Sequence, residues 1–119
     1  MERFLLDTLA VEEGTYPALI AFRDEDGDEI TPDTITWTLV DPDETVINDR
    51  LNIPVVTPAA DITIVLSGDD LAKETELFHE PRILHIHATY TSDLGAALPW
   101  NKDFLFYIEE SLINASTGT

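Results

Sequence analysis

Five stretches of this chain alternate apolar residues with other residues: Ala18-Ile20-Phe22, Ile35-Trp37-Leu39, Ile62-Ile64-Leu66, Leu84-Ile86-Ala88-Tyr90 and Phe104-Phe106-Ile108. A period of two puts one set of side chains on one face of a pleated strand. Asp, Pro and Gly clusters separate the stretches, and evenly spaced strands with such breaks predict two packed sheets.

The elements follow in order. Leu6 to Glu12 alternates loosely and predicts a first strand, broken at Gly14. Tyr16 to Arg23 is a second strand, and Asp24-Glu25-Asp26-Gly27-Asp28 a turn built on Asp-Gly. Thr34 to Val40 is the most regular strand. Ile35, Trp37 and Leu39 share one face, with Thr34, Thr36 and Thr38 on a half-solvated opposite face. Asp41-Pro42-Asp43-Glu44 is a turn, and Thr45 to Asn48 a short return strand. Pro54 and Pro58 make Arg50 to Thr57 an edge strand or an irregular crossing. Asp61 to Leu66 is a strand. Ser67-Gly68-Asp69-Asp70 resembles a helix start, and Leu71, Thr75 and Phe78 keep helical spacing up to Pro81. One or two helical turns are therefore expected near residues 69–78. Arg82 to Thr91 is expected as the longest strand, Thr91 to Asn101 as a loop holding Gly95, Pro99 and Trp100, and Lys102 to Glu109 as the last strand.

The fold expectation is all-β: an immunoglobulin-like antiparallel β-sandwich of seven to eight strands, with at most one short helix. Residues 1–110 form its single domain and 111–119 a polar C-terminal tail. Trp37 on a central strand matches the buried tryptophan of that architecture, although its paired cysteines are absent. No helical stretch is long enough for the crossover that parallel α/β folds need. A chain of 119 residues buries about two-thirds of its unfolded surface, so neither disulfide nor metal is required for folding.

Charge changes the picture. Twenty-four Asp and Glu oppose six Lys and Arg, giving −18. The excess is spread out, with fourteen acids and three bases in residues 1–60 and ten and three in the remainder. A surface of negative potential repels nucleic acid and anionic membranes and favours cationic partners. There is no cysteine, which excludes a disulfide scaffold and thiolate chemistry. Met1-Glu2-Arg3-Phe4-Leu5-Leu6-Asp7 lacks the sustained apolar core of a signal peptide, and no stretch approaches the roughly 18 apolar residues of a membrane helix.

Candidate chemistry is sparse. Asp24, Asp26 and Asp28 alternate as calcium ligands can, but the glycine is fourth and Ile35 occupies the twelfth position, so a solvated turn fits better. His85 and His87 share a strand face with zinc-like spacing, opposite the core face of Leu84-Ile86-Ala88-Tyr90. His79 is the only other histidine, and an exposed polar face is the simpler reading. No phosphate loop and no nucleophile elbow is present. Asn114-Ala115-Ser116 matches a glycosylation acceptor by chance. These residues imply no catalytic group, no metal and no cofactor. Two regions stand out by lacking charge: residues 94–100 and 111–119. Leu94, Leu98, Pro99 and Trp100, with Leu112 and Ile113, are the expected partner contact, tryptophan being enriched at binding hot spots.

The chain resembles small structural proteins of tailed phages and prophages. The residues that carry the resemblance are Gly14-Thr15-Tyr16-Pro17-Ala18, Phe22-Arg23-Asp24-Glu25-Asp26-Gly27, Thr36-Trp37-Thr38-Leu39-Val40-Asp41-Pro42-Asp43, Ile62 through Leu71, and Ala88-Thr89-Tyr90. They are strand-and-turn motifs covering residues 11–110, and Glu44 stands where glycine is expected. The resemblance implies a non-enzymatic, virion-associated protein assembled in the host cytoplasm. It would dock on a capsid, neck or tail surface, in multiple copies among other virion proteins, with neither nucleic acid nor membrane as partner. The alternative is a stand-alone bacterial adhesion or carbohydrate-binding sandwich, for which Trp100 and Tyr107 are the available aromatics. A small hydrolase using surface carboxylates ranks third.

Overall fold

The computed structural model describes residues 3–6, 9–74 and 79–109. Among the described residues there are eight strands: β1 (Arg3–Leu5), β2 (Ala10–Val11), β3 (Thr15–Ala21), β4 (Thr34–Val40), β5 (Ile53–Pro54), β6 (Asp61–Ser67), β7 (His79–Ser92) and β8 (Gly95–Glu109). The larger sheet runs β1-β8-β7-β4-β5, with β2 beside β1 on the same edge of β8; β3 and β6 form a second, two-stranded sheet. The architecture is all-β in two layers. The larger sheet is mixed rather than antiparallel throughout, because β1 and β2 run parallel to β8. Parallel neighbours need a long crossover. Here the intervening strands supply it, so no helix is required.

The period-two stretches form the core. Ala18 and Ile20 on β3 and Ile64 and Leu66 on β6 face Ile35, Trp37 and Leu39 on β4 and Leu84 and Ile86 on β7, all buried. Tyr16 stacks on Phe106 across the layers, ring centres 4.9 Å apart. Full burial of a large apolar side chain contributes about 1.5–3 kcal/mol, so this interlayer contact is the main source of stability.

Several expectations are corrected. The Thr91–Asn101 segment is not a loop: β7 and β8 form one long hairpin whose tip is Asp93–Leu94, with a bulge between Tyr90 and Ser92. β8, not β7, is the longest strand. Gly95 and Pro99 read as breakers, but Pro99 pairs with Thr89 before β8 gains β1 at Asp103, so its missing N–H falls on an open edge. Pro81 is strand too, at a level where β7 has β8 on one side and no β4 on the other. Thr38 is buried rather than half-solvated, because the 48–52 segment covers it and Asn52 N donates to its Oγ1 at 2.9 Å. Thr45–Asn48 makes a single bridge, Val46 to Val40, rather than a strand. The helical signal at Ser67 yields one 3-10 turn, Gly68–Leu71. Thr75 and Phe78, part of Leu6–Glu12, and the tail with Leu112 and Ile113 lie outside the described residues.

Candidate functional site

The residues expected to form a contact are split by the fold. Leu94 is 70% exposed at the hairpin tip, and Pro99 is exposed. Leu98 is half-buried against the core. Trp100 is itself core: its ring lies 4.6 Å from Phe22, its Nε1 donates to Arg23 O at 3.1 Å, and Lys102 Nζ sits over the ring 4.8 Å from its centre. Of the two candidate glycan-stacking aromatics, only Tyr107 is partly exposed.

The outer face of the larger sheet is polar. Cross-strand register aligns Thr38, His85 and Asp103 in one row and Thr36, His87 and Asn101 in the next. His85 is half-buried and hydrogen-bonded on both ring nitrogens, Nδ1 to Asp103 and Nε2 to Glu44 at 2.9 Å. Desolvation opposes its charged form, but the hydrogen bonds to the two carboxylates outweigh it and raise its pKa. The ring is therefore held towards imidazolium with no free nitrogen to accept a proton. His87 is exposed and turns its Nδ1 to Asn101, 3.1 Å away. Among the described residues no hydroxyl on this face bonds to either imidazole, and the two rings, 6.2 Å apart, each bond to their own neighbours.

Asp24, Asp26 and Asp28 form the only group of metal-capable side chains that converge among the described residues. Asp24 Oδ1 already accepts the backbone N–H of Asp26 and of Asp28, each at 2.9 Å. Local chemistry of this kind closes a turn, and Gly27, at φ 85, completes it.

Two ion pairs, one half-buried and one fully buried, are not apparent from sequence. Asp70, 1% exposed, accepts from Arg50 Nε at 2.7 Å, Asn48 Nδ2 at 2.9 Å and Ser67 N at 3.1 Å. Burial pushes its pKa up, and these donors more than reverse that, leaving it below its ordinary value. The Asp70 carboxylate in turn raises the Arg50 guanidinium. Arg82 and Glu80, both buried, pair with each other on the inward face of β7, and Arg82 also donates to Ala72 O at 3.0 Å. Parity was the available signal, since residues 80 and 82 continue the inward series 84, 86 and 88. These pairs tie the 3-10 turn and its flanks to the 48–50 segment and to β7.

The remaining surface feature is the outer face of the β3–β6 sheet. Register pairs Thr15 with Ser67, Pro17 with Val65, Leu19 with Thr63 and Ala21 with Asp61. All eight are exposed; Leu19 is 71% and Val65 57% accessible. Asp61 is the one charge in this group, and Arg23 lies 3.4 Å from it. A protein of net charge −18 thus presents one sheet face without net charge. The strand pattern contained this face, because residues 15–21 and 61–67 carry a single acid between them.

No protein-family model matches the chain, and no curated protein or solved structure does.

Proposed function

We propose that this chain is an immunoglobulin-like, non-enzymatic docking module of a virion, acting through protein–protein contact on a capsid, neck or tail surface. The strand order supports the immunoglobulin-like reading. β4, β7 and β8 correspond to the C, F and G strands, β3 and β6 to B and E, and Trp37 is buried on the C-like strand. The observation that carries the docking reading is the outer face of the β3–β6 sheet, which holds no net charge. Exposed Leu19 and Val65 lie diagonally across the two strands, with Pro17 and Ala21 beside them, and together form an apolar patch on an otherwise acidic domain. The virion assignment rests on the resemblance of the strand-and-turn motifs.

The test is fractionation of particles from a producing host on a density gradient, with the chain identified by mass spectrometry. Cosedimentation with assembled particles is expected at constant stoichiometry across the particle peak. Recovery of the chain only among slowly sedimenting soluble proteins would overturn the assignment.

A further inference from the structure

The small sheet has open edges as well as a face without net charge. Phe22 N donates to Ala60 O at 2.7 Å, next to the pair Ala21–Asp61. This sets the phase of the ladder: even-numbered residues of β3 and β6 turn their N–H and C=O groups toward each other, odd-numbered residues away. On β6 the backbone groups of Asp61, Thr63 and Val65 therefore point outward. Among the described residues none bonds them.

Among the described residues the other open edges are blunted. β3 has Pro17, β5 has Pro54, and the free half of β8 has Pro99 and Ala97 at φ 52. β1 and β2 are only three and two residues long. Proline, charge, irregularity and shortness are the usual guards against strand pairing. β6 is seven residues long and carries neither proline nor lysine; its one charge, Asp61, sits at its first position.

We propose that the edge of β6 is a docking site at which an extended segment of a partner protein adds as a third strand to the small sheet. The proposal rests on the docking reading above and names its site. Backbone hydrogen bonds give such an addition its affinity, and side-chain pockets give it specificity. A shallow hollow of about 250 Å³ spans the two strands at the Ala21–Asp61 end, lined by Leu19, Ile20 and Ala21 of β3 and Asp61, Ile62 and Thr63 of β6, and offers room for an apolar side chain of the added segment. Charge selects the partner. The edge and face are neutral while the domain is −18, so the segment is uncharged where it pairs and flanked by Lys or Arg. A second copy of this chain fits less well. Two seven-residue strands offer on the order of 250 Å² of face, against about 800 Å² per partner in a stable complex, and the approach would oppose two strongly negative domains.

The test titrates the ¹⁵N-labelled full chain with the peptide Lys-Thr-Val-Thr-Val-Thr-Val-Thr-Lys and follows amide exchange. The expected result is at least tenfold slower exchange at Thr63 and Val65, while the amides of Ile62 and Ile64, already bonded to β3, change little. Thr63→Pro removes an outward N–H that the fold does not use. It should keep the parent's spectral dispersion and lose the protection; Val65→Lys should weaken it. Absence of protection at millimolar peptide overturns the site. So does protection on the β3 or β8 edge, or undiminished binding by Thr63→Pro. Slow exchange of the same amides in concentrated protein without peptide, abolished by Thr63→Pro, would assign the edge to a second copy and also contradict the proposal. Failure here with cosedimentation intact removes the strand-edge site alone; loss of cosedimentation removes the docking reading.

Discussion

Single residues in this protein hold the layers together and respond to pH. Trp100 contains an indole buried on Phe22 and hydrogen-bonded to Arg23 O. Trp100→Ala is expected to cost about 3–5 kcal/mol, read as a lower denaturant midpoint, and Trp37→Ala a similar amount. A negligible shift for Trp100→Ala would return this residue to the surface. His85 has a raised pKa in the folded protein, so its protonation stabilises the fold below the ordinary histidine value of 6.5, and that contribution is lost as pH rises through the folded value. The urea midpoint of the parent should fall between pH 5.5 and pH 8.5, and that of His85→Gln should fall less. Asp70 has the opposite sign. Its lowered pKa contributes stability above 3.8, lost as pH falls through the folded value. Asp70→Ala strips Arg50, Asn48 and Ser67 of their shared acceptor and should cost about 3 kcal/mol at neutral pH, with a smaller difference from the parent in acid.

At the scale of elements, what was legible depended on whether local pattern and tertiary placement agreed. Thr34–Val40 was readable to the residue, because its alternation coincides with a core face and Asp-Pro ends it. The hairpin around Asp93 was not, since Gly95 and Pro99 punctuate a sequence locally but are tolerated wherever an edge stays open. Parallel addition of β1 and β2 to β8 joins the two ends of the described chain and has no local signature. The outer face of β3–β6, without net charge, was visible as sequence, but its exposure depends on how few strands that sheet contains. The expected contact drew on Trp100, which the fold buries. Turn chemistry offers a sharp check at Glu44, which sits at φ 68 where glycine is cheapest and also binds His85. At pH 8.5, where the His85 contact is weakened, Glu44→Gly should raise stability by up to about 1 kcal/mol. At pH 5.5 the gain should shrink or reverse.

For the whole molecule, charge is the dominant fact. A net −18 over 119 residues makes the folded state repel itself. Added salt screens that repulsion, the screening length falling to about 3 Å at 1 M. The melting temperature should therefore rise by several degrees from low to high NaCl; a flat response would show that local pairs such as Arg50–Asp70 already offset the repulsion. In the docking proposal the small sheet is the surface where a partner meets least opposition from this field. The most direct measurement of that docking is the amount of chain bound per purified particle for the parent and for a Leu19→Lys/Val65→Lys variant, both first shown to be folded by the near-ultraviolet signal of their tryptophans. The parent is expected to bind at fixed stoichiometry and the variant to fall at least tenfold. Equal incorporation of the two would contradict the proposal.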